Sequence, residues 1–223
     1  MSVTVFTPPA NGLSQADYDA WRAVPAAVAV DLGRDIGQID PAIRPLNPPG
    51  HQPRLFGRAL TVCCDPPDFG AVVHALDVAK PGDVLMIAAA GRRDFAMIGE
   101  ILGGHLRRLG CVGLVCDGAV RDVAELASWS DFSVFTRFIT PRGPSSAERG
   151  TINEAVVIGG CTVHPGDLII GDDDGLVALS PRAITDRIGD AQKKLEIEAQ
   201  WVKSLSDGTH AAATFGLQAP FRT

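Results

Sequence analysis

The pair Arg121-Asp122, with Glu125 three residues later, is the part of the sequence best suited to chemistry. These residues follow an apolar run that predicts a buried strand, and α/β sheets bind ligands where strands end and helices begin. The Asp122 carboxylate suits a hard divalent cation, and the planar Arg121 guanidinium suits an oxyanion. The structural alternative is that Asp122 caps a helix and Arg121 pairs with Glu125 at the surface. This segment alone leaves both interpretations open.

A second candidate site is the segment Gly99-Glu100-Ile101-Leu102, which lies at the predicted start of a helix. The first backbone N–H groups of a helix have no partner within it, and together with the helix dipole they favour a carboxylate. Glu100 would bring a second acid toward Asp122 if the two neighbouring strand–helix units align. The alternative is that Glu100 only stabilises the helix dipole in the first turn.

The other residue types that could bind metal show no comparable pattern. The acidic run Asp172-Asp173-Asp174-Gly175 could ligate a metal, but Asp and Gly are also common in turns between strands, and we favour the turn. The histidines lack HxH or HExxH spacing, and the cysteines lack zinc-ligand spacing; they are His51, His74, His105, His164, His210, Cys63, Cys64, Cys111, Cys116 and Cys161. The odd number of cysteines and their apolar surroundings predict buried free thiols.

Alternating strands and helices must position the two candidate segments. Residues that favour β-structure predict a strand at 58–64, and short apolar runs predict strands at 83–90 and 111–116. Helical spacing predicts helices at 69–79 and 98–109, and a further helix is predicted at 125–129. Gly110 is placed to cap the second of these helices, and Asp117-Gly118 is predicted as a turn. A Pro-rich loop at 41–53 precedes this alternation. The pattern therefore predicts an α/β fold for the central part of the chain.

The second half of the chain has a different pattern. Short strands are predicted at 156–158, 161–163, 167–171 and 176–179, which favours a compact β-meander or barrel-like layer packed on the α/β half. Ser180-Pro181 then opens a long helix, with Ser as N-cap and Pro at the first position. Its apolar stripe predicts docking on a neighbouring subunit, and it consists of Ile184, Ile188, Ala191, Leu195, Val202 and Leu205. Glu198 falls on this stripe.

These patterns predict four parts: a helical N-terminal arm at 1–24, a core at 25–180, the C-terminal helix at 181–208 and an irregular tail at 209–223.

The net charge of −6 and the absence of a basic run argue against a nucleic-acid partner. No apolar stretch reaches the roughly 20 residues of a membrane span, and the first residues do not resemble a signal peptide, so we expect a cytoplasmic protein with no membrane partner. No P-loop, G-x-G-x-x-G or G-x-S-x-G motif follows a strand.

The run GEILGGHLRRLGCVGLVCDGAVRDVAEL at 99–126 resembles the RraA-like family. The resemblance extends, in the family's order, to FGRALTV at 56–62, KPGDVL at 80–85 and HPGDLIIGDDDGLV at 164–177, and it covers about residues 25–200. The family includes class II 4-hydroxy-4-methyl-2-oxoglutarate/4-carboxy-4-hydroxy-2-oxoadipate aldolases and regulators of ribonuclease E activity. It implies a three-layer α/β/β fold of the swivelling-domain type, assembled as a homotrimer or hexamer.

The resemblance also implies roles for individual residues. The family's aldolases carry an acid, twenty intervening residues and then Arg-Asp-x-x-Glu/Asp, and Glu100, Arg121-Asp122 and Glu125 fit that spacing. Asp122 would bind Mg²⁺ or Mn²⁺ directly, and Arg121 would contact the keto oxygen of the substrate. The aldolases usually have Asp at the first acidic position, where this chain has Glu100. The added methylene displaces that carboxylate by roughly an ångström or more.

Two further roles follow from the same resemblance. The backbone amides of Ile101 and Leu102, next to Gly99, would hold the pyruvyl carboxylate. The known aldolases also receive a glutamate from a neighbouring subunit, for which Glu198 or Glu196 is the candidate.

We therefore weigh three functions. The first is a divalent-metal-dependent lyase that cleaves a 4-hydroxy or 4-carboxy 2-oxo acid to pyruvate and also decarboxylates oxaloacetate, since both reactions pass through the pyruvate enolate. In it, the metal and Arg121 stabilise the enolate charge, and Glu100 holds the base that removes the C4 hydroxyl proton. The second is a non-enzymatic regulator of a ribonuclease, whose acidic charge would suit a basic RNA-binding surface. The third is a related lyase or hydratase that acts on a different small acid.

Overall fold

The computed structural model describes residues 2–10, 12–33 and 36–218. Its strands are β1 (Thr4–Val5), β2 (Gly37–Gln38), β3 (Arg44–Pro45), β4 (Leu55–Cys63), β5 (Asp83–Ala88), β6 (Ala96–Ile98), β7 (Gly113–Val120), β8 (Ser133–Ile139), β9 (Thr151–Ile152), β10 (Val156–Ile158), β11 (Cys161–Val163), β12 (Leu168–Asp172) and β13 (Gly175–Leu179). Its helices are α1 (Gln15–Asp19), α2 (Ala26–Val30), α3 (Gly70–Ala75), α4 (Glu100–Arg108), α5 (Val123–Ser128), α6 (Pro181–Ser206) and α7 (Ala211–Thr214).

One large sheet organises these elements. Its strand order is β2-β13-β12-β4-β5-β7-β8-β3, and β6 pairs with the end of β7. The central strands β4, β5, β7 and β8 are parallel, and they are apolar runs because both faces of the sheet are covered. Side chains alternate between the faces, so Leu85 and Ile87 of β5 join one core cluster while Val84 and Met86 join another.

The covering layers differ on the two faces. Helices α3, α4 and α5 pack on the first face, and the separate hairpin β10–β11 packs on the second. A third cluster joins α1, α2 and α6 to the strands β12 and β13. The chain is therefore a mixed α/β protein with a three-layer α/β/β arrangement and a long C-terminal helix, as predicted.

The predicted turn at Asp117-Gly118 is wrong, because both residues are buried inside β7. The Asp117 carboxylate can lie inside a strand since it accepts hydrogen bonds from Arg137 Nε at 2.6 Å and from the Gly159 amide at 2.7 Å. At Gly118 an added Cβ would lie 2.8 Å from the Ala89 Cβ, so the close approach of the two segments requires glycine. Local turn propensity is overridden here by tertiary partners.

Other predicted bounds also need correction. The helix predicted at 98–109 begins at Glu100, because Ile98 pairs with Val120 and belongs to β6. Helix α3 ends at Ala75 instead of residue 79. Strands β12 and β13 extend the large sheet, with β12 antiparallel to β4 and β13 antiparallel to β12, and they do not form a separate meander or barrel-like layer. Strand β8 was not predicted.

The C-terminal helix begins as predicted: Ser180 is the N-cap, its side chain accepts a hydrogen bond from the Ala183 amide, and Pro181 follows. The first four residues of its apolar stripe pack on the body of the same chain, whereas Val202 is 66% exposed. In the region predicted as an irregular tail, α7 forms, and residues 219–223 lie outside the described residues. The division of the chain at residues 24, 180 and 208 stays a prediction. Within the described residues, no helix is both long and apolar enough to cross a membrane.

The cysteines are free thiols, as predicted. Four of them are buried, and burial raises the pKa of Cys64 to about 12 and the pKa of Cys111 to about 12. Cys63 is the exception, because its side chain is exposed at the end of β4. The buried thiols are therefore protonated and pack as small apolar groups.

Candidate functional site

Two consecutive strand–helix junctions meet at the carboxyl end of the sheet. Strand β6 leads through Gly99 into α4, and β7 leads through Arg121-Asp122 into α5. The strands are parallel neighbours, with Ile98 opposite Val120, and the Arg121 amide donates to the Ile98 carbonyl at 3.1 Å. Both helices therefore begin at the same edge, which is where open α/β sheets bind ligands.

Asp122 and the start of α4 are in direct contact. The Glu100 amide donates a hydrogen bond to Asp122 Oδ2 at 3.1 Å, and Arg121 Nε lies 3.5 Å from the same oxygen. The predicted approach of Glu100 to Asp122 is thus present at the level of the Glu100 backbone. The Glu100 side chain is exposed and, among the described residues, makes no hydrogen bond or ion pair.

Asp122 has a left-handed backbone conformation, with φ 57° and ψ 39°, immediately before α5. Few residues other than glycine adopt this conformation, and Asp and Asn tolerate it best. It makes the chain turn from strand to helix within two residues. Because strained backbone is often found at functional sites, the conformation supports a role for Asp122 beyond packing. The predicted side-chain cap is absent: the Asp122 side chain makes no capping hydrogen bond to α5.

Gly99 is the residue that lets the two junctions touch. A Cβ at this position would lie 2.3 Å from Asp122 Oδ2 and 2.9 Å from Arg121 Cγ. The Gly99 backbone itself is extended, with φ −148° and ψ −160°, so its requirement for glycine comes from the neighbouring side chains. Gly99 therefore allows the contact because it has no side chain.

The N-terminus of α4 offers donors beside the Asp122 carboxylate. The amides of Ile101 and Leu102 lie in the first turn, and within the described part of the chain neither has a hydrogen-bond acceptor. The Ile101 side chain is 71% exposed, so solvent or a ligand can approach this turn. Two unpaired amides, an arginine and a carboxylate thus share one small region.

The loop at 140–149 packs against Arg121. A Cβ at Gly143 would lie 2.6 Å from Arg121 Nη1, so the guanidinium rests against bare backbone. The loop is anchored on one side by the hydrogen bond from the Ala96 amide to the Arg142 carbonyl at 2.8 Å. On its other side it is anchored by Asp68.

Asp68 is fully buried and binds the loop through its carboxylate. It accepts hydrogen bonds from the amides of Gly70, Glu148 and Arg149 and from Ser146 Oγ. Burial raises the pKa of Asp68, but these hydrogen bonds outweigh burial and hold the pKa well below its usual value. A charged Asp68 therefore fixes the loop against which Arg121 packs.

Glu125 lies one turn along α5 from Asp122, and its side chain points along the helix. Its Oε1 accepts a hydrogen bond from Trp129 Nε1 at 3.0 Å, so the predicted Arg121–Glu125 surface pair does not form. An open cleft of about 570 Å³ runs between α4 and α5 and begins beside Glu100 and Ile101. Glu125 lines this cleft instead of contacting the Asp122 carboxylate.

The remaining predicted residues lie elsewhere in this chain. Glu198 pairs with Lys194 at 3.3 Å on α6, which packs on α1, α2 and β13. Asp172 and Asp173 accept hydrogen bonds from the backbone amides of Ala26 and Gly50, which supports the turn interpretation. Among the described residues, no group of three or more His, Cys, Asp and Glu side chains could hold a metal ion.

A magnesium-type ion needs fewer protein ligands than such a group supplies. Mg²⁺ is commonly bound through one or two carboxylates, and water and substrate oxygens complete its coordination. Asp122 Oδ1 makes no hydrogen bond among the described residues, and its side chain is partly exposed. The donor set of Asp122, with Glu100 nearby, therefore fits a hard divalent ion that is bound together with its substrate.

Sequence reasoning missed Trp129 and Gly143. Trp129 follows Glu125 by four residues, and this spacing could have indicated the contact between their side chains. Gly143 lies twenty-two residues beyond Arg121 on a loop, and its contact depends on how Asp68 holds that loop. No local signal predicts it.

Comparisons with known proteins place the chain in a family. The model of the RraA-like family (Aldolase/RraA) matches residues 18–178, which include both junctions. A protein of Halalkalibacterium halodurans named "Putative 4-hydroxy-4-methyl-2-oxoglutarate aldolase" is 31% identical over 206 residues, covering 91% of this chain and 96% of that protein.

Solved structures show the same fold. The crystal structure of an uncharacterized protein from Pseudomonas syringae pv. tomato str. DC3000 matches with a TM-score of 0.79 and 24% identity, over 94% of this chain and 100% of that one. The RNA-processing inhibitor RraA from Thermus thermophilis matches with a TM-score of 0.60 and 26% identity, over 67% of this chain and 88% of that one.

Proposed function

Since the chain belongs to the RraA-like family, we propose that it is a divalent-metal-dependent lyase that releases pyruvate from a 4-hydroxy or 4-carboxy 2-oxo acid. The relative named "Putative 4-hydroxy-4-methyl-2-oxoglutarate aldolase" is matched over 96% of its length, which supports this choice within the family. One observation carries the proposal: Asp122, Arg121 and the amide end of α4 converge at the carboxyl edge of the sheet. Decarboxylation of oxaloacetate is included because it forms the same enolate.

The pyruvyl half of the substrate would bind at the start of α4. The free amides of Ile101 and Leu102 would donate to its carboxylate, where the positive end of the helix dipole adds to the attraction. The Arg121 guanidinium would donate to the keto oxygen, on which negative charge develops when the C3–C4 bond breaks. Gly99 keeps this region open.

A bound Mg²⁺ or Mn²⁺ would act as a Lewis acid that lowers the energy of the developing enolate. Asp122 would hold that ion through its free carboxylate oxygen. Glu100 would hold the group that accepts the C4 hydroxyl proton, and its exposed, unpaired carboxylate leaves it available for this role. As C4 becomes a carbonyl carbon, the C3–C4 bond would break and its electron pair would stay on the pyruvate enolate. The C4 fragment would leave as a second oxo compound, or as CO2 from oxaloacetate, and the enolate would take up a proton to give pyruvate.

Pyruvate release tests the proposal directly. We expect the purified protein to release pyruvate from oxaloacetate and from 4-hydroxy-4-methyl-2-oxoglutarate when Mg²⁺ or Mn²⁺ is present, and to stop when EDTA is added. The Asp122→Asn variant is the matched control, because Asn also tolerates the left-handed conformation and removes only the charge. No pyruvate from any substrate in a panel of 4-substituted 2-oxo acids would reject the lyase and favour the ribonuclease-regulator alternative.

We further propose a homotrimer or a hexamer in which Glu198 acts in a neighbour's site. The end of α6 and the residues after α7 expose Val202, Leu205 and Leu217, which supports burial against another subunit. Light scattering during size-exclusion chromatography measures the assembly. Mixing inactive Asp122→Asn and Glu198→Gln proteins should restore part of the activity if Glu198 acts across subunits, and no restoration would remove Glu198 from the site.

A further inference from the structure

The α4–α5 cleft extends away from the start of both helices, and its charged side chains are not equivalent. It is lined by Glu100, Ile101, Gly104, Arg107, Arg108, Glu125, Trp129 and Asp131. Arg107 is neutralised, because its Nε lies 2.6 Å from Asp131 Oδ1 and its guanidinium stacks over Trp129 at 5.4 Å. Glu125 is held by the hydrogen bond from Trp129.

Arg108 differs from Arg107, because among the described residues it has no ion pair or hydrogen bond from its side chain. Its side chain folds back along α4, and Arg108 Nη1 lies 3.6 Å from the position that a Cβ on Gly104 would occupy. Long side chains on helices point toward the helix N-terminus in this way. The Cβ position on Gly104 would also lie 3.7 Å from the Trp129 ring, so the Arg108 guanidinium and this ring flank the glycine where it lines the open cleft.

The reach of Arg108 matches the length of a small dicarboxylic acid. Gly104 is four residues after Glu100, so the guanidinium lies about 6 Å along the helix axis from its start. The carboxyl carbons of a five-carbon dicarboxylic acid are about 5 Å apart, since four carbon–carbon bonds of about 1.5 Å separate them. A substrate whose first carboxylate sits at the Ile101 and Leu102 amides could therefore place its second carboxylate at Arg108.

We propose that Arg108 is the specificity-determining residue of the site and recognises the second carboxylate of a dicarboxylic 2-oxo acid. This inference rests on the proposed function for the location of the first carboxylate. A planar guanidinium that has no competing partner binds a carboxylate through paired, charge-assisted hydrogen bonds. Arg107 cannot take this role, because Asp131 already occupies it.

Two substrates that differ at the remote end test the proposal kinetically. For 4-hydroxy-4-methyl-2-oxoglutarate, which has two carboxylates, Arg108→Gln should lower kcat/KM about tenfold or more. For 4-hydroxy-2-oxopentanoate, which ends in a methyl group, the same variant should leave kcat/KM within about twofold. Arg107→Gln is the matched control, and it should leave the preference between the two substrates unchanged. Equal losses on both substrates in Arg108→Gln, or the same loss of preference in Arg107→Gln, would overturn the proposal while the lyase stands.

A binding measurement separates this proposal from the lyase function itself. We expect titration calorimetry with Mg²⁺ present to show that the wild-type protein binds 2-oxoglutarate about tenfold tighter than 2-oxopentanoate, which has the same chain length and one carboxylate. Arg108→Gln should bind the two acids equally, and Arg108→Lys should regain part of the preference. These outcomes hold whether or not the protein cleaves any substrate. A wild-type protein without this preference, or a variant that keeps it, overturns the proposal.

Discussion

Replacement of Gly99 by alanine is the sharpest test of the site, because it adds one carbon atom where two junctions touch. The Gly99 backbone is extended, so alanine introduces no strain of its own. Its Cβ, however, would lie 2.3 Å from Asp122 Oδ2 and 2.9 Å from Arg121 Cγ. The substitution therefore displaces the proposed metal ligand and the proposed oxyanion donor together.

The size of the effect follows from these distances. A Cβ in ordinary contact lies at 3.4 Å or more, so the Asp122 carboxylate must move by about 1 Å relative to Gly99. Such a shift stretches the hydrogen bond from the Glu100 amide, now 3.1 Å, beyond the usual range. Because a misplacement of about 1 Å can lower a rate about 100-fold, we expect kcat/KM to fall by about that factor. Overpacking should cost about 1–3 kcal/mol of stability.

The assay is metal-dependent pyruvate release at several substrate concentrations, with thermal unfolding of the same samples. Gly189→Ala is the matched control, since a Cβ at this exposed position in α6 meets nothing within 4 Å. We expect the control to keep full activity and to gain up to about 1 kcal/mol, because alanine is the better helix former. A folded Gly99→Ala protein with kcat/KM within threefold of wild type would refute the role assigned to this contact.

Four further predictions concern the charges of the site and of its supporting loop. Asp122→Asn should lower metal-dependent pyruvate release by more than about 100-fold at nearly unchanged thermal stability, and activity near wild type would remove Asp122 from the site. Arg121→Lys should lower kcat/KM at least tenfold, because an ammonium does not reproduce planar paired donors; a loss within threefold contradicts that role. Glu100→Asp should keep or raise turnover, and complete loss would mean that Glu100 is adapted to another substrate. Asp68→Asn should cost about 2–4 kcal/mol in chemical unfolding, since its carboxylate is buried with four hydrogen bonds. The pKa of Asp68 is lower in the folded state, so its contribution to the free energy of unfolding is complete above the unfolded pKa of about 3.9 and is lost as the pH falls further. Asp68→Asn should therefore make the free energy of unfolding less dependent on pH in acid. An unchanged slope of that free energy against pH would contradict the assignment.

The central elements of the fold could be predicted from the sequence because their signals are local. Residues that favour β-structure identified β4, apolar runs identified β5 and β7, and Ser180-Pro181 marked the start of α6 with the correct N-cap. Helical spacing located α4 and α5, although Ile98 was assigned to the helix instead of β6. These signals require nothing beyond the residues themselves.

The parts that the sequence did not predict depend on distant partners. Asp117 can lie inside β7 only because Arg137 neutralises its charge and the Gly159 amide donates a hydrogen bond to its other oxygen. Strands β12 and β13 have the short lengths of a meander, yet β4 offers an open edge, and β12 pairs with it in the antiparallel direction. No pattern within either segment specifies that edge.

The candidate site divides in the same way. Arg121, Asp122 and Glu100 could be singled out from residue type, position and family resemblance. The sequence also placed Glu125 beside them, but the structure directs its carboxylate to Trp129. The steric need for Gly99 and the support of Arg121 by Gly143 could not be predicted, because both arise from atoms that approach across separate segments.

The twenty-residue spacing between Glu100 and Arg121 has a structural origin. Helix α4, a short return at residues 109–112 and the strand β7 fill the interval. Because β7 is paired with β5, β6 and β8, its register is fixed, and one added residue would move Asp122 by about 3.3 Å and reverse the face toward which it points. This spacing therefore brings Asp122, at the end of β7, to the first amide of α4. A change in the length of β7 would abolish that contact even if every residue of the motif were retained.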